Sequence, residues 1–188
     1  NPIMNDPQTP ASADYIVMES TYGNRNHRGM KESIDELAEA IRTTFKKGGN
    51  VLIPAFAIGR TQDILYTLNK FIKEKRFETL NVYVDSPLAE EATNVYLSHP
   101  ECYDAEALKM LRDKKNNALK LNFTTTVEDS MKINKIKSGA IIIAGSGMCE
   151  GGRIVHHFKH NLWRSEWSVI FSGFQAEGTR GRKIIEGA

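Results

Sequence analysis

Four apolar runs in this chain stop abruptly on polar or glycine-rich residues, and this repetition constrains the fold more than any other feature. They are residues 15–18 (YIVM) before Glu19, 51–58 (VLIPAFAI) before Gly59-Arg60, 82–84 (VYV) before Asp85-Ser86-Pro87, and 141–144 (IIIA) before Gly145. Apolar runs that do not alternate with polar residues are typical of strands covered by helices on both faces of a parallel sheet. In an open α/β sheet the ligand crevice lies outside the carboxyl ends of the strands. Carboxylates, serines and glycines placed repeatedly at those ends point to a single cleft, with Glu19 as the leading candidate for chemistry.

Strand signals fall at about 14–19, 50–54, 80–85, 140–144 and 167–172, with a further short strand over 119–125. Helical periodicity falls between them, at about 30–47, 59–75, 88–98, 104–114, 127–136, 151–162 and 179–186. The first helix gathers Ile34, Leu37, Ala38, Ile41 and Phe45 on one face and stops at Gly48-Gly49. Ser86 with Pro87 behind it, and Thr126 with Asp129 at the third helical position, read as helix starts. The pattern is α/β: a Rossmann-like three-layer domain with a mostly parallel sheet and helices on both faces. A chain of 188 residues that is 40% hydrophobic can bury one substantial core. No apolar stretch approaches the roughly 20 residues that span a bilayer. The opening NPIMNDPQTPASAD reads as a connector over 1–13, so the domain proper is expected over 14–188, as a piece of a longer protein. Cys102 and Cys149 lack disulfide or metal spacing, which is the usage of a reducing, cytoplasmic compartment and of two buried or half-buried thiols.

Net charge is only +2, but residues 151–188 hold Arg153, Lys159, Arg164, Arg180, Arg182 and Lys183 against Glu166, Glu177 and Glu186. Such a local excess can serve as a phosphate footprint. The 145–153 stretch (GSGMCEGGR) joins a strand to a helix, where amides and the helix dipole favour an anion. It is not a dinucleotide fingerprint, because Glu150 stands where G-x-G-x-x-G needs glycine, and the G-x-x-x-x-G-K-S/T spacing is also absent. Two readings stay open: a phosphate-binding turn at Ser146, Gly147 and Met148, or glycines that merely allow close packing. Arg60 falls in a first helical turn, where the dipole disfavours a cation unless an anion is shared. It is a phosphate clamp, or else it pairs with Asp63 or Asp85. Asp85 caps the next helix or lines the cleft. Thr179 suits an N-cap, with Arg182 behind it facing phosphate or water. His156 and His160 share a helix face, but the glutamate of H-E-x-x-H is missing, so the histidines there suit packing or RNA contact better than zinc.

Four ordered motifs carry a resemblance: Glu19-Ser20-Thr21-Tyr22-Gly23, Pro54-Ala55-Phe56-Ala57-Ile58-Gly59-Arg60, Ser146-Gly147-Met148, and Gly178-Thr179 with Gly181-Arg182. Over nearly its whole length the chain resembles the β-CASP domain of metallo-β-lactamase-fold nucleases, the family of the mRNA 3′-end endonuclease and ribonuclease J. The resemblance implies a zinc-dependent hydrolase acting on RNA phosphodiester bonds. Glu19 would be its motif A acid, bonded to a histidine that protonates the leaving oxygen. Arg60, Ser146, Gly147, Met148, Arg153, Thr179 and Arg182 are then the candidate RNA and phosphate contacts. The His-x-His-x-Asp-His zinc motif of the family does not occur in these residues. The two zinc ions are therefore expected in a metallo-β-lactamase domain of the same chain, leaving this piece inactive by itself. Implied partners are RNA, that domain, and a second copy of the full-length protein in a homodimer. The competing reading is a self-contained nucleotide or small-molecule binding module.

Overall fold

The computed structural model describes residues 2–112 and 118–187. Its centre is the AIIIA run, strand β4 (Ala140–Ala144), buried at every position. The other strands are β1 (Val51–Pro54), β2 (Leu80–Asp85), β3 (Leu119–Phe123) and β5 (Ser168–Val169). The sheet runs β3-β2-β4-β1-β5 and every pairing is parallel. Val51 lies opposite Ile141 on one side of β4, and Val82 lies opposite it on the other.

The helices are α1 (Met30–Lys46), α2 (Arg60–Lys73), α3 (Pro87–Ser98), α4 (Ala105–Arg112), α5 (Val127–Ile133), α6 (Arg153–Asn161) and α7 (Arg180–Glu186). Successive residues of a strand point to opposite faces, and here both faces are covered. Ile141 and Ile143 pack with Ala38 and Ile41 of α1, Leu68 and Phe71 of α2, and Ala89 of α3. Ala140, Ile142 and Ala144 pack with Ile133 of α5 and with Ile154 and Phe158 of α6. This is why the strands read as unbroken apolar runs, and it makes three layers.

Three helix starts carry the side-chain caps that the sequence suggests. Ser86 Oγ accepts from the Ala89 amide at 3.2 Å, Thr126 Oγ1 from Asp129 at 3.1 Å, and Thr179 Oγ1 from Arg182 at 3.3 Å. The chain end is less regular than expected. Ladder pairing in β5 is confined to Ser168 and Val169, although the Ile170 amide still donates to Leu52 O at 2.9 Å.

The strand expected at 14–19 is not formed. Residues 15–18 pair with no strand of this sheet, and Tyr15 and Val17 are 91% and 98% exposed. Both faces of the sheet are already closed by helices, so this apolar run has neither a ladder partner nor a covering layer here. Within the 1–13 segment, Ile3 is buried against Tyr103 and Ala107, and the Asp104 amide donates to Ile3 O at 3.0 Å. Residues 5–13 are exposed. Of the thiols, Cys149 is buried as expected, but Cys102 is exposed because it lies in a single 3-10 turn (Pro100–Cys102) at the surface.

Candidate functional site

The topology opens a crevice at the mouth of β4. Its neighbours β1 and β2 feed α2 and α3 on one face, whereas β4 feeds α6 on the other. Adjacent strands whose connections diverge leave a gap at their carboxyl ends. On the β1 side, the backbone of Gly147 abuts the Phe56 ring. The 55–60 turn is locked from behind: Thr61 donates from its amide and Oγ1 to Phe56 O, and Gln62 Nε2 donates to Ala57 O. Phe56 and Ile58 are left 53% and 63% exposed on the rim.

On the β2 side the gap is bridged by charge. Asp85 is completely buried. Its Oδ1 accepts from Arg153 Nη1 at 2.6 Å and Thr124 Oγ1 at 2.5 Å, and its Oδ2 from Ser130 Oγ at 2.6 Å and His157 Nε2 at 2.7 Å. Burial alone would raise this carboxyl, but bonds from His157, Ser130, Thr124 and Arg153 outweigh it and hold it at about 2. Arg153 also donates to the carbonyls of Thr124 and Thr125, both at 2.7 Å. The expectation that Asp85 caps a helix or lines the cleft gives way to a buried ion pair, with the cap falling to Ser86. Arg153, put forward for phosphate, points its guanidinium at this carboxylate and these carbonyls.

The 145–152 turn is knitted to the start of α7. Gln175 Nε2 donates to Gly147 O at 2.8 Å, the Gly181 amide to Met148 O at 3.2 Å, and Arg180 Nη1 to Cys149 O at 3.0 Å. Glu150 accepts from the Arg180 amide. Within the turn, the amides of Ser146 and Cys149 donate to Gly151 O and Ser146 O at 3.0 and 3.1 Å, and the Gly151 amide donates to Ser146 Oγ at 3.4 Å. These amides are turned inward, unlike the free amides of a phosphate cradle. The Cys149 thiol is pushed up to about 11 by burial, which leaves it protonated and unsuited to nucleophilic chemistry.

Glu19 stands in the open. Its Oε2 accepts from the Thr21 amide at 2.9 Å, and that bond holds the carboxyl below its ordinary value. The following turn and the start of α7 bound a cavity of about 650 Å³ lined by Ser20, Thr21, Arg25, Phe174, Glu177 and Arg182, among others. The Arg25 guanidinium lies 5.2 Å from the ring centres of both Tyr22 and Phe174. Arg182 pairs with Glu186 at 2.6 Å. Ser146, Gly147, Met148, Thr179 and Arg182 are thus brought together, and the Glu19 turn meets them through Phe174 and Arg182. Arg60 is not in this group. It lies 3.9 Å from Asp63 and lines a separate cavity of about 680 Å³ between α1 and α2. Burial raises the Asp63 carboxyl, and Arg60 opposes that rise.

Of the neighbouring histidines, His157 is buried and bonded to Asp85 and, through Nδ1, to Asn134 Oδ1 at 3.1 Å, whereas His156 and His160 are exposed. The roles of Ser130, Asn134 and Gln175 escape a reading of the sequence, because each depends on a partner far along the chain. Among the described residues no three His, Cys, Asp or Glu side chains converge so as to hold a metal.

The Beta-Casp domain family matches residues 61–184. The chain is 35% identical to Ribonuclease TTHA0252 of Thermus thermophilus, covering 97% of this chain and 42% of that protein. It is 37% identical to Transcription termination factor FttA of Thermococcus kodakarensis, covering 92% and 27%, and 33% identical to an RNase J-like protein of Methanocaldococcus jannaschii, covering 93% and 40%. The chain therefore spans less than half the length of these relatives. Its sheet, its four motif turns and these matches together make it a member of the β-CASP domain family.

Proposed function

We propose that this β-CASP domain is one wall of an RNA phosphodiesterase cleft, with the other wall contributed by a metallo-β-lactamase domain of the same polypeptide. The observation that carries the reading is the Glu19 carboxylate: solvent-exposed, held ionised by the Thr21 amide, and preceded by an uncovered apolar run. An ionised, unburied carboxylate is suited to accept a hydrogen bond from an incoming imidazole and fix its orientation. Glu19 is then a positioning residue for a histidine that protonates the leaving oxygen. Ser146, Gly147, Met148, Thr179 and Arg182 border the RNA path, and Arg60 stands apart from it beside Asp63. Arg153 acts indirectly, by tying α6 to the end of β2 through Asp85.

In this reading both zinc ions belong to the partner domain, where they would supply an activated water. Two of the relatives, a ribonuclease and an RNase J-like protein, support a nuclease. The isolated 188 residues are then inert. The test uses the full-length protein with Glu19→Gln, measuring RNA binding and cleavage separately. A kcat reduced by about 100-fold or more with affinity retained is expected. Wild-type kcat in that variant would remove Glu19 from the mechanism.

A further inference from the structure

At the N-terminal ends of the strands, the end of the sheet opposite Ser146 and Thr179, three loops are bound to one another by Asn50 and Gly49. Asn50, fully buried, donates from Nδ2 to Ile136 O and accepts at Oδ1 from the Ala140 amide, both at 2.8 Å. Its carbonyl accepts from the Ser168 amide at 3.1 Å, and Gly49 O accepts from the Gly139 amide at 3.0 Å. Gly49 passes so close to Glu166 that a Cβ there would lie 1.9 Å from the Glu166 carbonyl oxygen.

The segments 46–50, 134–139 and 161–167 therefore converge on one surface. They bring exposed Lys46, Lys47, Lys135 and Lys137 together with half-buried Arg164. Lys159 and His160 add to them from the last turn of α6. The acid on these loops is Glu166, half-buried, with Glu74 and Glu78 on the neighbouring α2–β2 connection beside Lys75.

On the 161–167 segment stands Trp163, 75% exposed. Its Nε1 donates to His160 O at 3.0 Å, and the Arg164 guanidinium lies 5.2 Å from its ring centre and 5.3 Å from that of Trp167. The indole is thus held in place with its one polar group already used. What it presents to a partner is a π-face with the Arg164 guanidinium against it.

We propose that this end of the domain is a second binding surface for single-stranded RNA, with Trp163 stacking on a base and the lysines of the three loops meeting phosphates. A fixed aromatic face amid positive charge is the arrangement by which single strands are held without sequence preference. The inference rests on RNA being the substrate, and it adds that a long RNA is gripped at both ends of the sheet. Strands of five residues separate those ends by about 17 Å, so an oligonucleotide confined to the cleft does not reach Trp163.

The test uses the full-length protein with Trp163→Ala, Trp163→Phe and the pair Lys47→Gln/Lys137→Gln. Trp163→Ala should weaken binding of a long unstructured RNA by about tenfold or more, with an unchanged melting temperature. KM for that RNA should rise with kcat constant, and the ratio of kcat/KM for long over short substrate should fall by the same factor. Trp163→Phe should restore most of the affinity. The lysine pair should lower the salt slope of binding by about 1.4, at roughly 0.7 per contact. Wild-type affinity and slope in all three variants would overturn the inference. So would variants that keep RNA binding but lose binding of an acidic polypeptide, which would mark a protein-docking surface. Failure of the wild-type protein to bind any RNA would instead sink the nuclease reading.

Discussion

Arg153 and His157 leave α6 one turn apart and reach the two oxygens of one buried carboxylate. A charge removed from water is tolerated only when its bonds are complete, and Asp85 has four of them. Its side chain ionises at about 2 in the fold against 3.8 in the unfolded chain. A carboxyl lowered on folding contributes stability that is present above pH about 4 and lost as the pH falls towards 2. The size of that contribution is about 2 kcal/mol. Asp85→Asn should lower the stability measured by urea unfolding at pH 7 by about 3 kcal/mol, since Arg153 and His157 lose their anion. It should also make the acid limb shallower by about 2 kcal/mol. An acid limb of undiminished depth in that variant would show that other carboxylates set it. None of this was legible in the sequence, where Asp85 looked like a cap or a cleft residue: its partners lie 39 to 72 positions away.

At the scale of elements, the coupling that shapes the site runs between the 145–152 turn and α7. The contact point is Gly181, where a Cβ would lie 1.7 Å from Gln175 Oε1 and 3.2 Å from Met148 O. Gln175 is itself tied to Gly147 O and Phe174 O. Gly181→Ala must therefore push α7 away from the turn or break the Gln175 bonds. The expected outcome is a protein that stays folded but exchanges the amides of residues 179–186 faster, by hydrogen exchange with mass spectrometry. Unchanged protection over that helix would mean the packing adjusts without loss. The caps at Ser86, Thr126 and Thr179 were readable because a cap needs only its own three-residue neighbourhood. The need for glycine at 181 was not, because it arises where two distant segments touch.

Across the whole molecule, the unfinished feature is the extended run 15–18. Four exposed apolar residues in a row form a patch of the kind that marks an interface. On the proposed reading the metallo-β-lactamase domain would cover it and bring Glu19 to the cleft. The isolated 188 residues should self-associate with rising concentration in sedimentation velocity, and Ile16→Ser/Val17→Ser should abolish that association. In the full-length protein the same change should reduce stability. Wild-type stability there would mean that the run is solvated in the intact protein too.

The apolar periodicities by themselves determined a parallel, two-sided sheet with its polar motifs at one end, because burial on both faces leaves no room for alternation along a strand. They could not assign each run to a sheet: residues 15–18 have the composition of a central strand, yet this sheet closes without them. Motif order likewise marked Glu19, Ser146, Thr179 and Arg182, and the helix position of Arg60 allowed its pairing with Asp63, but nothing in the sequence turned Arg153 to Asp85. Those decisions belong to the tertiary structure, since a hydrogen bond is settled by which groups the crossovers bring within about 3 Å, and the crossing of α6 over β4 is what sets Arg153 against Asp85.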